Sequence, residues 1–233
     1  MKLLSILLLA LFPTSVNCQI DSSWLAQNIL PKFYKDTATH LPPAVFVDEK
    51  GERRVLSDFY GKILYVDMWA TYCGPCIARF PYQEQLLKRL KALHLDSSIV
   101  FLNINAEDSK LMWKKALSKY HPIGINLYSA DTSLNSRWSI DGLPCYILLD
   151  ASGKVLGKCI SAPDDASIDW ILYSATKGVH PVDAIWRWQR QSNLKARHHS
   201  TSAFTDREYA EWYKNYSPTL LEFLEWRQKH AGF

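Results

Sequence analysis

The chain has 233 residues, 48% of them hydrophobic and 21% charged, and a formal net charge of +4. That length holds one well-cored domain plus an appended piece, and the composition is that of an ordinary globular protein, neither fibrous nor disordered. The charge is modest and no run of Lys and Arg interleaves with aromatics, so no stripe exists to neutralise phosphates and nucleic acid is not expected as a partner.

Residues 1–18 read as a secretory signal peptide: Lys2, an apolar run from Leu3 to Phe12, then small and polar residues ending at Cys18. The run falls far short of the roughly 20 residues that cross a bilayer, and no later segment reaches that length. No transmembrane span is therefore expected after signal removal. Two endings of the signal stay open, cleavage after Cys18 to leave Gln19 first, or lipid modification of Cys18.

After a mixed polar start from Ile20 to His40, Pro42 and Pro43 lead into alternating apolar residues at Val45 and Val47, a polar turn at Asp48 to Gly51, and Val55, which predicts a hairpin. Ile63 to Trp69 is continuously apolar apart from Asp67, rich in β-branched and aromatic residues, and reads as a buried central strand. The period then changes. Phe80, Leu86, Leu87, Leu90 and Leu93 recur at helical spacing, predicting a helix over Cys76 to Leu93. A strand follows at Ile99 to Ile104, then a helix at Lys110 to Tyr120 carrying Leu111, Trp113 and Leu117. Ile125 to Tyr128 is a short strand and Asp131 to Trp138 a helical segment. Cys145 to Leu149 and Val155 to Ile160 form a second hairpin around the turn Asp150 to Gly153. A last core helix is expected at Asp164 to Thr176. Beyond Gly178 the residues turn aromatic and charged, with Trp186, Trp188, Trp212 and Trp226 and helical patterns at Val182 to Leu194 and Asp206 to Lys229. These tryptophans are expected to pack against the domain, with a partner-docking arm as the alternative. Strand, helix, strand, helix implies an α/β protein with a partly parallel sheet covered on both faces.

The chemistry is concentrated in WATYCGPC, where Cys73 and Cys76 follow a buried strand and open an amphipathic helix. Unpaired amides and the partial positive charge of a helix N-terminus favour the thiolate of the first cysteine, so Cys73 is the expected nucleophile. Cys76, one turn on, resolves the mixed disulfide that Cys73 forms. Pro75 sits in the first turn, where its missing N–H costs no helical bond. A purely structural staple is disfavoured, because closing so short a ring constrains little of the unfolded chain. A zinc site is disfavoured too: His94 and His121 lie at no regular spacing from the pair, and Cys145 and Cys159 form no second knuckle. The two-residue turn expected between their strands would put Cys145 and Cys159 on opposite faces, leaving both as free thiols or packing residues. No metal is expected, and no cofactor beyond the Cys73–Cys76 redox-active disulfide.

The segment VDMWATYCGPC resembles the active-site segment of thioredoxins. LSDFYGK before the strand and Pro81, five residues beyond Cys76, resemble the TlpA/ResA-like branch of exported thioredoxin-fold proteins. The resemblance covers Leu41 to Thr176. It implies a thioredoxin fold, a mixed central sheet flanked by helices with an N-terminal hairpin, over residues 19–177, leaving 178–233 as a helical C-terminal extension. It also implies that Asp67 is the buried carboxylate that relays the proton of Cys76, a placement costly for an acid without a role. Leu143 and Pro144 match the loop whose cis-proline packs against the dithiol and holds substrate backbone, and Trp69, Tyr72, Gly74 and Pro75 are expected to border the same site. Tyr72 stands where tryptophan is usual, Arg79 where an acid is common, and Cys145 where a threonine is usual.

The activity these features imply is thiol–disulfide exchange on protein disulfides, as an envelope or periplasmic reductase supplied by a membrane electron donor, with cytochrome c maturation as one task. Disulfide oxidation or isomerisation, and a redox-inactive binding protein docking through its C-terminal arm, are the alternatives.

Overall fold

The computed structural model describes residues 39–230. Every described residue lies in one compact unit. The signal-peptide and Cys18 readings fall outside the described residues.

The apolar run Ile63–Trp69 is a strand buried at every position, because neighbouring strands flank both edges and a hydrophobic cluster covers each face. The strands are β1 (Phe46–Asp48), β2 (Arg53–Arg54), β3 (Ile63–Trp69), β4 (Ile99–Asn105), β5 (Ile125–Tyr128), β6 (Cys145–Leu149) and β7 (Val155–Gly157), in the sheet order β2-β1-β5-β4-β3-β6-β7. β3 runs parallel to β4 and antiparallel to β6, and β4 runs parallel to β5. Side chains alternate across it as the period of two demands. Leu64, Val66 and Met68 enter one core with Leu102, Ile104, Ile147 and Trp138, whereas Ile63 and Tyr65 enter another with Leu86, Leu90 and Trp170. Asp67 lies in register with Asn103 of β4 and Tyr146 of β6. This is the mixed, helix-flanked sheet that the resemblance to thioredoxins implied.

The helices are α1 (Gly74–Ile77), α2 (Phe80–Ala92), α3 (Lys110–Tyr120), α4 (Leu134–Arg137), α5 (Ile168–Ala175), α6 (Pro181–His198) and α7 (Arg207–Lys229). The single helix expected from Cys76 to Leu93 is broken at Ala78 and Arg79. Pro81 has no N–H for the Ile77 carbonyl and its ring crowds that carbonyl, so a new helix starts with the proline in its first turn. In the first hairpin the buried residue is Phe46 at 0% exposure, not Val45 at 49%. On α3, Trp113 and Ala116 turn inward while Leu111 is exposed. The segment 131–138 is helical only at α4, and the helix expected from Asp164 begins at α5. The strand expected to reach Ile160 stops at Gly157, after a register shift at Leu148/Leu149. Gly153, in the turn between β6 and β7, adopts φ +87°, and a Cβ there would come 2.0 Å from the Tyr60 ring, which demands glycine.

The C-terminal helices join the second core. Ala184 of α6 and Tyr209, Trp212 and Tyr216 of α7 pack with Tyr65, Leu86 and Trp170, and Trp212 meets Trp170 edge-on at 5.1 Å. Arg89 of α2 and Asp169 of α5 form a fully buried ion pair at 2.9 Å, and the Arg89 guanidinium lies 3.7 Å over the Phe223 ring of α7. Among the described residues, no helix is long and apolar enough to cross a membrane.

Because Trp212 is buried in a layer shared with the sheet, Trp212→Ala should cost about 3–5 kcal/mol, read as a lower midpoint in urea unfolding. A chain ended at Gly178 should lose its cooperative transition, and wild-type cooperativity in that chain would show that α6 and α7 are dispensable to the core.

Candidate active site

Cys73 caps the N-terminus of α1, and Cys73 and Cys76 form a disulfide with Cα atoms 5.3 Å apart. The Cys76 N–H donates to Cys73 Sγ at 3.2 Å. The two cysteines differ in access: Cys73 is 7% exposed and Cys76 0%. Cys73 opens onto a groove of about 390 Å³ whose walls include Tyr72, Gly74, Pro75, Ile140 and Leu143. Tyr72 is 69% exposed and forms the outer lip.

The Leu143–Pro144 peptide is cis, and Leu143 packs against the cluster holding Cys73 and Cys76. Trp69 is buried, edge-on to Phe80 at 5.2 Å, so it supports the site from beneath instead of walling the groove. Of the residues expected to meet substrate, the structure thus places Tyr72, Gly74, Pro75 and Leu143 on the groove with Cys73. Pro144, half-buried, lies in the loop just behind.

Asp67 is 1% exposed. Its Oδ2 accepts from Gln83 Nε2 at 2.6 Å, and its Oδ1 has no partner. Burial disfavours the carboxylate and pushes the Asp67 pKa up to about 7, against the lowering pull of the Gln83 hydrogen bond and the Arg79 charge. The same Gln83 amide donates to Asn103 Oδ1 at 3.1 Å, and Asn103 Nδ2 donates to Asn126 Oδ1 at 3.0 Å. A buried polar chain therefore runs from Asp67 across β4 to β5. Arg79 does not present a bare charge to the dithiol, because its Nε donates to Asp164 Oδ1 at 3.0 Å.

The loop before Cys73 is fastened from the other side. The Thr71 N–H and Oγ1 both donate to Asp108, at 2.7 and 2.6 Å, and Asn105 Nδ2 donates to the same carboxylate at 2.5 Å.

A family model described as Redoxin matches residues 36–167, more than half of the chain. The chain belongs to the Redoxin family. Relatives include a thiol-disulfide oxidoreductase ResA of Bacillus cereus, 25% identical over 138 residues, 58% of this chain and 76% of that protein. The ResA of Bacillus subtilis is 28% identical over 118 residues, 49% of this chain, which spans 62% of that relative's length. A crystal structure of a putative thiol-disulfide oxidoreductase from Bacteroides vulgatus is 28% identical with a TM-score of 0.53, covering 59% of this chain and 95% of that one. A second, a solution structure from the same organism, is 27% identical at 0.52, covering 59% and 88%. This redoxin is a TlpA/ResA-like member of the thioredoxin superfamily and a thiol–disulfide oxidoreductase.

Gln83 and Asp108 escaped the sequence reading. Gln83 held a signal all the same: it lies on the apolar stripe of α2 with Phe80, Leu86 and Leu90, and a polar residue on a buried stripe needs a polar partner inside. Asp108 gave none, since Thr71, which it fastens, lies 37 residues away in the chain.

The raised Asp67 pKa has a sign for stability. Below pH 4 the carboxyl is neutral in both folded and unfolded chains, whereas between about 4 and 7 only the folded chain keeps the proton. Stability from this group is thus fully present below pH 4 and lost as pH rises through about 7. Asp67→Asn should remove that loss, and the variant should be more stable than the parent at pH 8 by at least about 1 kcal/mol in denaturant unfolding of the oxidised protein. An equal stability difference at pH 4 and pH 8 would show that Asp67 does not titrate in this range.

Proposed function

We propose that the protein is an exported cell-envelope reductase that passes two electrons from the Cys73–Cys76 dithiol to disulfides of other proteins. The observation that carries this reading is the unequal access of the two cysteines, with Cys73 lining the groove and Cys76 fully buried. In the reduced protein the Cys73 thiolate attacks one sulfur of a substrate disulfide; an S–S bond to Cys73 forms and the other substrate sulfur leaves as a thiolate. Cys76 then loses its proton to Asp67 and attacks Cys73. The Cys73–Cys76 bond forms as the mixed disulfide breaks, and the second substrate thiolate departs. The proton ends on Asp67, the electrons on the substrate.

The groove-lining Tyr72, Gly74, Pro75 and Leu143 hold the substrate strand, with Pro144 setting the path of the loop. A dithiol working outside the cytoplasm needs resupply, so a membrane dithiol carrier returns the electrons. The TlpA/ResA-like branch adds cytochrome c maturation as a setting for the task. Residues 1–18 supply the export signal, with Cys18 as its end or as a lipid anchor.

Three measurements test this reading. Cys76→Ser should accumulate covalent substrate complexes on non-reducing gels, and Cys73→Ser should abolish them; exchange activity surviving in Cys73→Ser would remove Cys73 from its role. The resolving step should speed up as pH rises through about 7, where Asp67 becomes a base. Gln83→Ala deletes a hydrogen bond that lowers the Asp67 pKa and should move that midpoint upward, and an unmoved midpoint would detach Asp67 from the step. The dithiol potential, equilibrated against glutathione, should lie near the thioredoxin value of about −270 mV, since a buried Asp67 carboxylate disfavours a neighbouring thiolate and so the reduced form of a strong oxidant. A potential above roughly −180 mV would assign oxidase or isomerase work instead.

A further inference from the structure

Cys145 and Cys159 are free thiols, the first buried and the second exposed. The expectation that they point to opposite faces fails for a local reason. β7 ends at Gly157, and the Ile160 N–H reaches back to the Tyr146 carbonyl at 3.0 Å. Between them Cys159 adopts φ +50°, a left-handed conformation uncommon for a residue with a Cβ. The strand's alternation is broken, and Cys159 turns back toward the residue that follows Pro144.

The Ile160–Tyr146 backbone bond sets Cys159 and Cys145 on neighbouring stretches of chain. Interaction between the two thiols raises the Cys145 pKa, with burial adding to the rise, and lowers that of Cys159 to about 7. The nearby Lys158 ammonium lowers it further, while burial and the Asp141 carboxylate oppose the fall. Cys159 also faces outward, on a second groove of about 360 Å³ lined by Lys158, Ile160, Asp165 and Pro181. The pair therefore has an accessible, readily ionised thiol backed by a buried, interacting partner, the same division of labour found at Cys73 and Cys76.

We propose that Cys145 and Cys159 are a second redox-active dithiol, oxidised by disulfides that reach Cys159, whose closure ties the loop after β7 to the residue following Pro144. The Cys159 thiolate attacks one sulfur of an incoming disulfide, forming a mixed disulfide and expelling one thiolate. Cys145 then attacks Cys159, its proton passing to solvent; the Cys145–Cys159 bond forms and the second thiolate leaves. Two thiols are oxidised and one disulfide is reduced. The inference rests on this pair alone and stands whatever the direction of electron flow at Cys73.

The test uses the full chain carrying Cys73→Ser and Cys76→Ser, treated with oxidised glutathione and read by differential alkylation and peptide mapping. The expected result is loss of both Cys145 and Cys159 from alkylation, a cross-linked peptide joining them, and a mass lower by two hydrogens. Adding Cys145→Ser should instead leave a stable glutathione adduct on Cys159. Should the double serine variant fail to fold, the same mapping on the wild-type chain gives the answer, because each cysteine is read separately. A lasting adduct on Cys159 with Cys145 still alkylatable, or both thiols unreacted, would overturn the proposal.

Discussion

An ionisable carboxyl in the middle of a strand buried on both faces is the constraint on which the site turns. Asp67 occupies a position where a valine or isoleucine would add stability, since burying a carboxylate costs far more than burying a methyl group. Its environment answers that cost only in part. One oxygen receives the Gln83 amide and the other receives nothing, so the group is held between protonated and ionised near neutral pH. A second donor would fix it as a carboxylate, and none at all would keep it neutral. Partial satisfaction leaves it able to exchange a proton near neutral pH, the property on which the proposed relay from Cys76 draws.

The dithiol turn depends on two local devices. Pro81 stops α1 from running on into α2, leaving Cys73 and Cys76 on a short turn of their own above the long helix. Asp108 then binds the preceding loop through the Thr71 N–H and hydroxyl, which fixes where Cys73 emerges from β3. The sulfur's position is thus set from both sides by groups that never touch it, and the groove beside it stays open.

Much of this was legible in the chain because it follows local periodicity. The β3 run, the limits of α3 and β5, and the CGPC turn after a buried strand are patterns written within a dozen residues. What stayed hidden depends on contacts between distant segments. Gln83 looked like one more polar helix residue until Asp67 was placed 2.6 Å away. Val45 and Val47 suggested the buried face of β1, but Phe46 between them is larger and fills the core beside Trp138, at 6.0 Å between ring centroids, so burial of the bigger side chain decided the parity. The interaction of Cys145 and Cys159 needed a strand to end early and one residue to turn left-handed, and no period of two contains that information.

The C-terminal helices, which read as an appendage, act on the site through α2. Tyr82 lies edge-on to Trp226 of α7 at 5.3 Å and to Phe223 at 6.4 Å, and two turns further along Arg89 sits under Phe223 while paired with Asp169. Arg227 of α7 donates to the backbone carbonyl of Asp164, the residue whose carboxylate holds Arg79. α7 thus grips α2 at both ends of the stretch that contains Gln83, the next residue after Tyr82. The Arg89–Asp169 pair adds a buried tie from α2 to α5, and breaking it would leave an uncompensated charge. The extension therefore bears on the buried carboxyl indirectly: it packs on α2 at Tyr82, the residue beside the Gln83 whose amide lies 2.6 Å from Asp67.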